Sequence, residues 1–113
     1  MSKLIFISSP YSHEDEKIVE ENYLKVARFA GLLCSQGEVV ISPIVYGHTL
    51  AGHVRMPTDW MSWKNFCLTL LEKCDEMIVY KMEGWDKSRG VREEIEFATS
   101  KGIKITYRDY EEL

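Results

Sequence analysis

The sequence has no cluster of Lys and Arg, no Cys-x-x-Cys pair, no apolar run of membrane-spanning length and no glycine-rich loop after its first strand-like segment. Each absence excludes a class. Without clustered cations, and with a net charge of −4, nucleic acid is not an expected partner, because binding a phosphate backbone needs several cations on one face. Without a long apolar run there is no membrane partner. Met1-Ser2-Lys3 leads straight into the apolar segment Leu4 to Ile7, with no h-region of a signal peptide, so the expected location is cytoplasmic. The three cysteines, Cys34, Cys67 and Cys74, are odd in number and lie in helix-like segments, which suits a reducing compartment and packed thiols. No set of metal ligands accompanies them: His48 and His53 stand alone in a polar stretch and read as exposed loop histidines, and no cofactor is expected. A flavodoxin-like electron carrier would need a phosphate loop after the first strand, and Ser8 to Ser12 contains no Gly.

What remains is an ordinary globular composition, 45% hydrophobic and 28% charged over 113 residues, enough for one domain spanning 1–113. Leu4 to Ile7, Val39 to Ile41 and Asp75 to Met82 are short apolar runs that read as buried parallel strands, and Ile103 to Tyr107 as a fourth. Between them, helical spacing runs from about Glu14 to Gln36, from about Trp60 to Lys73 behind an N-cap at Thr58 or Asp59, and from about Arg89 to Ser100. Residues 43 to 57 carry Pro, Gly and His without a clean period and read as a long loop. The tail from Asp109 reads as a turn of helix or a frayed end. The order β-α-β-α-β-α-β predicts an α/β fold, an open parallel sheet of four to five strands with helices on both faces, Rossmann-like or flavodoxin-like. Strand order 2-1-3-4 would put a topological switch between the first and third strands, where the loops Ser8 to Ser12 and Glu83 to Gly90 would meet.

The second of those loops is the most informative stretch: Gly84-Trp85-Asp86-Lys87-Ser88-Arg89-Gly90-Val91-Arg92-Glu93-Glu94-Ile95-Glu96-Phe97-Ala98. A small-residue turn opening a helix can hold a phosphate through backbone N–H groups, and a carboxylate about one turn further on is a candidate nucleophile. The same residues also suit a plain helix start, with Ser88 as cap and the glutamates complementing the dipole. Trp60 and Trp63 read as packing against the sheet or a partner subunit, and Asp75 as a structural cap at the strand entrance.

Taken with Ser8-Ser9-Pro10-Tyr11 after the first strand and Cys74-Asp75 before the third, this stretch resembles the nucleoside 2-deoxyribosyltransferase-like superfamily, deoxyribosyltransferases and 2'-deoxynucleoside 5'-phosphate N-hydrolases. The resemblance covers nearly the whole chain and is strongest over residues 75 to 98. It implies an enzyme that cleaves the N-glycosidic bond of a (deoxy)nucleoside 5'-monophosphate, as a hydrolase or a base transferase, usually as a homodimer or higher homo-oligomer. Carried over by motif, Glu94 is the nucleophile and Tyr11 the second candidate catalytic residue, standing where the family has an arginine. Ser9, Pro10, Trp85, Ser88, Arg89 and Gly90 are the candidate substrate- and phosphate-binding residues. Arg89 or Arg92 would replace the missing cation. The chain also departs at Cys67, eight residues before Asp75, where the family has an aspartate that acts on the base or sugar. A thiol cannot take over that acid role at neutral pH. Either Asp59 or another group approaches, or activity is reduced. The alternative is a non-catalytic module that binds a nucleotide or an ADP-ribose-like ligand.

Overall fold

A computed structural model of the chain describes residues 2–112. Its first strand, β1 (Leu4–Ser8), alternates between two faces because successive strand side chains point to opposite sides. Ile5 and Ile7 enter one core with Val26, Phe29, Leu33, Ile78 and Tyr80. Phe6 enters another with Cys67, Leu71, Met77, Val79, Val91 and Ala98. A strand buried on both faces explains why Leu4 to Ile7 is continuously apolar.

The first core is closed by α1 (Glu16–Ser35) and α2 (Pro43–Ala51), the second by α3 (Trp60–Glu72) and α4 (Arg89–Lys101). With β2 (Val39–Ile41), β3 (Glu76–Lys81) and β4 (Lys104–Asp109), the strands form one parallel sheet in the order β2-β1-β3-β4. The fold is thus an open α/β sheet with helices on both faces, in the predicted strand order and with four strands. In register, Ile5 pairs with Glu76 and Ser8 with Val79. At the opposite end from the crevice, Asp75 Oδ2 accepts the Leu4 N–H at 2.8 Å, and the Asp75 N–H donates back to the Leu4 carbonyl at 2.8 Å. Asp75 therefore ties two strand starts together, the structural role its position suggested.

Local chemistry sets the element ends. Asp15 caps α1 by accepting the Lys17 N–H, and Gly37 closes it at φ 87°, a conformation that L side chains rarely adopt. The long loop expected over residues 43 to 57 is corrected: most of it is α2. Ser42 accepts the Val45 N–H at 3.2 Å and Pro43 occupies the first helical position. The helix shows no polar stripe because Pro43 and Gly47 are buried while Ile44 and Val45 pack on the first core, so periodicity misses it. Only residues 52–59 remain irregular. Asp59 caps α3 by position; its carboxylate takes up no backbone N–H of the helix and accepts the Ser62 hydroxyl at 2.7 Å instead. The tail does not form a helix: Asp109 ends β4, residues 110–112 are irregular and Leu113 lies outside the described residues. Among the described residues no helix is long and apolar enough to cross a membrane.

Candidate active site

At the carboxyl ends of β1 and β3, where the chain leaves β1 for α1 on one face and β3 for α4 on the other, lies a cavity of about 390 Å³. This is the switch point of an open parallel sheet, and the volume falls in the range of small-molecule sites, roughly 300–1,000 Å³. The two serine-bearing loops meet here as the sequence predicts: Ser9, Pro10 and Tyr11 come from the first, Ser88, Arg89 and Gly90 from the second. Helices α2 and α3 add His48, Trp60, Trp63 and Cys67.

Glu94 lines the cavity and is 5% exposed. It lies on the α4 face that packs against Phe6 and Val79, so its carboxyl meets the sheet next to the end of β1. The Ser8 hydroxyl donates to Glu94 Oε1 at 2.6 Å. The Cys67 thiol stands beside the carboxylate. Burial dominates and pushes the Glu94 carboxyl up to about 8, the Ser8 hydroxyl and the Cys67 thiol opposing it. Burial first, and the neighbouring carboxylate second, push the Cys67 thiol up as well, so it stays a protonated thiol and is not a nucleophile. The adjacent Glu93 is its opposite: Lys64, Arg89 and the Trp60 indole N–H hold it at about 2, on the outer side of the helix. Two neighbouring glutamates therefore have their titrations driven apart, the pattern of sites that use a carboxyl chemically.

Ser8 is the site residue that sequence reasoning missed. Strand parity carries the signal: Ser8 shares its face with Phe6, on the side that α4 covers.

Ser9 is 6% exposed and lines the cavity, and its hydroxyl has no hydrogen-bond partner. A buried unpaired hydroxyl is costly unless a ligand completes it. Across from it, α4 begins. The Ser88 Oγ accepts the Val91 N–H at 3.2 Å, which keeps the cap reading, and leaves the Ser88 hydroxyl proton free to donate into the cavity. The start of a helix together with a free serine proton and an orphaned serine suits an anion. Gly90 has a reason of its own: a Cβ there would stand 3.1 Å from Trp60 Cε3. Lys87 also lines this end, a cation that sequence reasoning did not single out.

On the opposite wall the Tyr11 hydroxyl lies 2.8 Å from His48 Nδ1, and His48 Nε2 lies 3.0 Å from Glu20 Oε2. Tyr23 stacks on the imidazole at 3.9 Å. Burial first, then the Glu20 charge, raise the Tyr11 phenol. His48 is thus not the exposed loop histidine of the sequence reading, because residue 48 lies on α2 facing α1.

Other expectations are corrected. Trp85 does not line the cavity: Gly84 turns the chain at φ 86° into a single 3₁₀ turn, and the indole packs edge-on against Tyr107 at 5.8 Å. Arg89 reaches the rim, but its Nε is engaged by Glu93 at 2.7 Å, and Arg92 lies outside the lining. Asp59 does not stand in for the missing acid: it is exposed, outside the cavity, and accepts the Ser62 hydroxyl. Trp60 and Trp63 do more than pack, since both wall the cavity, Trp63 lying over Gly47. His53 is exposed. Among the described residues no group of three or more His, Cys, Asp or Glu is arranged to hold a metal ion.

The chain belongs to the family described as a domain of unknown function (DUF1937), whose model matches residues 3–109. No curated protein matches it.

Proposed function

We propose that this protein cleaves the N-glycosidic bond of a (deoxy)nucleoside 5'-monophosphate, with Glu94 as the nucleophile. The observation that carries the reading is a single buried carboxyl in a cavity also lined by an unpartnered serine hydroxyl and by the first residues of α4. Such a lining suits a sugar set against a reacting carboxylate, with its phosphate held at the helix start. Ser9, Ser88, Lys87 and the first N–H groups of α4 would hold the phosphate. Trp60, Trp63 and Tyr11 would flank the sugar and base.

The ionised Glu94 attacks C1' as the C1'–N bond breaks through an oxocarbenium-like transition state. The bond pair leaves with the base, which takes up a proton, and a glycosyl ester forms on Glu94. Water then attacks C1', releasing the carboxylate and one proton; a second base in place of water makes the reaction a transfer. Ser8 holds the carboxylate in place by donating to it, with the Cys67 thiol alongside. A developing cation at C1' favours the ionised form that burial opposes.

One observation favours a second reading, a binding or sensing module: the position expected to hold an acid is Cys67, a buried thiol beside Glu94. Free-base release separates the two. Purified protein incubated with ribo- and deoxyribonucleosides and their 5'-monophosphates is expected to release base from a monophosphate, and Glu94→Gln is not. Nucleotide-dependent thermal stabilisation of both proteins without base release from either would leave the binding module.

The resemblance also carries a homodimer or higher homo-oligomer, and the cysteine usage suits a cytoplasmic location. Exposed Tyr46, stacked on Phe66 at 5.7 Å, together with Met61, offers an apolar surface near the cavity wall for such a contact. Sedimentation of the purified chain tests it.

A further inference from the structure

A leaving base needs a proton, and the position where a carboxylic acid is expected holds a thiol with no acidity to lend. The cavity has one other polar wall. Tyr11, from the loop after β1, and His48, from α2, both line it, and Glu20 on α1 stands behind them. The bond order in this chain follows from chemistry. A carboxylate only accepts, so His48 Nε2 carries a proton and donates to Glu20. With His48 neutral, Nδ1 accepts and the Tyr11 hydroxyl proton is turned away from the cavity. With His48 protonated, Nδ1–H donates to the phenol oxygen and the Tyr11 proton is free to point into the cavity. Tyr23 stacked on the ring and the Asn22 amide donating to the Tyr11 carbonyl at 3.2 Å fix both partners.

We infer that Tyr11, His48 and Glu20 form the proton relay that protonates the leaving base, Tyr11 as the acid and His48 and Glu20 as positioning residues that reload it. The inference rests on the proposed glycosidic cleavage. As the C1'–N bond breaks, its electron pair stays on the base nitrogen and takes the Tyr11 phenolic proton. Tyr11 takes the proton of His48 Nδ1, leaving a neutral imidazole whose Nε2–H remains on Glu20. The water that resolves the Glu94 ester gives up one proton, which returns through Tyr11 to His48 and resets the relay. The groups facing the imidazole are Glu20 and Tyr23 from α1 and Tyr11 from the β1–α1 loop. A hydroxyl relay on the wall opposite Glu94 separates acid from nucleophile, which a second carboxyl beside a buried Glu94 would not.

The test is a series of 2-deoxyribose 5-phosphates whose leaving groups fall in basicity, from the best natural base to 4-nitrophenolate, which departs unprotonated. Tyr11→Phe and His48→Gln should lose about 10²- to 10³-fold on the natural base and less than about 3-fold on 4-nitrophenolate. Glu20→Gln should show the same trend, smaller. Glu94→Gln should lose activity on the whole series. Equal losses by Tyr11→Phe across the series, or no loss, would overturn the relay while leaving the cleavage standing. No release by the unmodified protein from any member would overturn the cleavage itself. ¹⁵N NMR of His48 gives a readout independent of turnover: the neutral ring should carry its proton on Nε2, and a neutral ring protonated on Nδ1 would contradict the relay.

Discussion

Ser8 and Glu94 lie 86 residues apart in sequence, and their side chains meet in a buried hydrogen bond of 2.6 Å. Next to this bond, the Ser9 hydroxyl has no partner. Consecutive serines at the end of one strand thus do different work: one holds a carboxylate and the other is left for a ligand. The two alanine variants should separate accordingly. Ser8→Ala removes a donor from Glu94 and should lower kcat about 10- to 100-fold, moving the pH midpoint of activity upward. Ser9→Ala removes an unsatisfied buried hydroxyl and should leave Tm unchanged or higher, while weakening inorganic phosphate binding. A pH–rate profile checks the first, and melting curves with and without phosphate the second.

Glu94 also makes stability and activity run in opposite directions with pH. Unfolded, its carboxyl titrates near 4.5; folded, at about 8. Below 4.5 both states are protonated and the full stability is present. Above it the unfolded chain sheds a proton that the folded chain retains, so stability falls as pH rises and the loss is complete above the folded value. Urea unfolding should show a decline of about 3 to 4 kcal/mol between pH 5 and 8, absent in Glu94→Gln. Over the same range kcat/KM on the 4-nitrophenolate substrate, which needs no proton from His48, should climb about tenfold per pH unit toward a limb set by the Glu94 titration.

Gly90 should resist substitution although it lies in a helix, where Ala usually gains stability. A Cβ at position 90 meets Trp60 Cε3 at 3.1 Å, and the Trp60 indole is anchored to Glu93 at 2.9 Å, so the ring has little room to give. Gly90→Ala should cost about 1 kcal/mol in thermal or urea unfolding, and pairing it with Trp60→Leu should recover the loss attributable to the clash.

The cysteines should divide by accessibility. Cys34 is exposed; Cys67 and Cys74 are buried, and burial raises both thiols, Cys74 to about 11. A thiol reagent at pH 7.5 should titrate one group in the native protein and three after denaturation. Rapid native modification of Cys67 would contradict the buried pairing with Glu94.

The strand order and the convergence of two serine loops were legible in the sequence because buried strands and connection handedness leave few topologies. Glu94 was legible as part of a motif, and Ser9, Ser88 and Gly90 as its neighbours. Ser8 and Lys87 were not, nor were three further features. Helix α2 was hidden because it carries no polar stripe, so only the Ser42–Pro43 start marked it. His48 went with it, since an isolated histidine in an apparent loop has no visible partner until α1 brings Glu20 to its ring. Trp85 was misplaced because loop proximity does not fix side-chain direction, which Gly84 and the 3₁₀ turn determine.

The central claim is that Glu94 forms a covalent glycosyl ester. The most direct measurement is the intact mass of the protein, then of its peptides, after incubation with nucleoside 5'-monophosphates whose 2'-fluorine slows breakdown of the ester. The account predicts a gain equal to the fluorinated sugar phosphate, carried by the peptide containing Glu94 and absent from Glu94→Gln. Base release without an adduct, with Glu94→Gln still active, would contradict it.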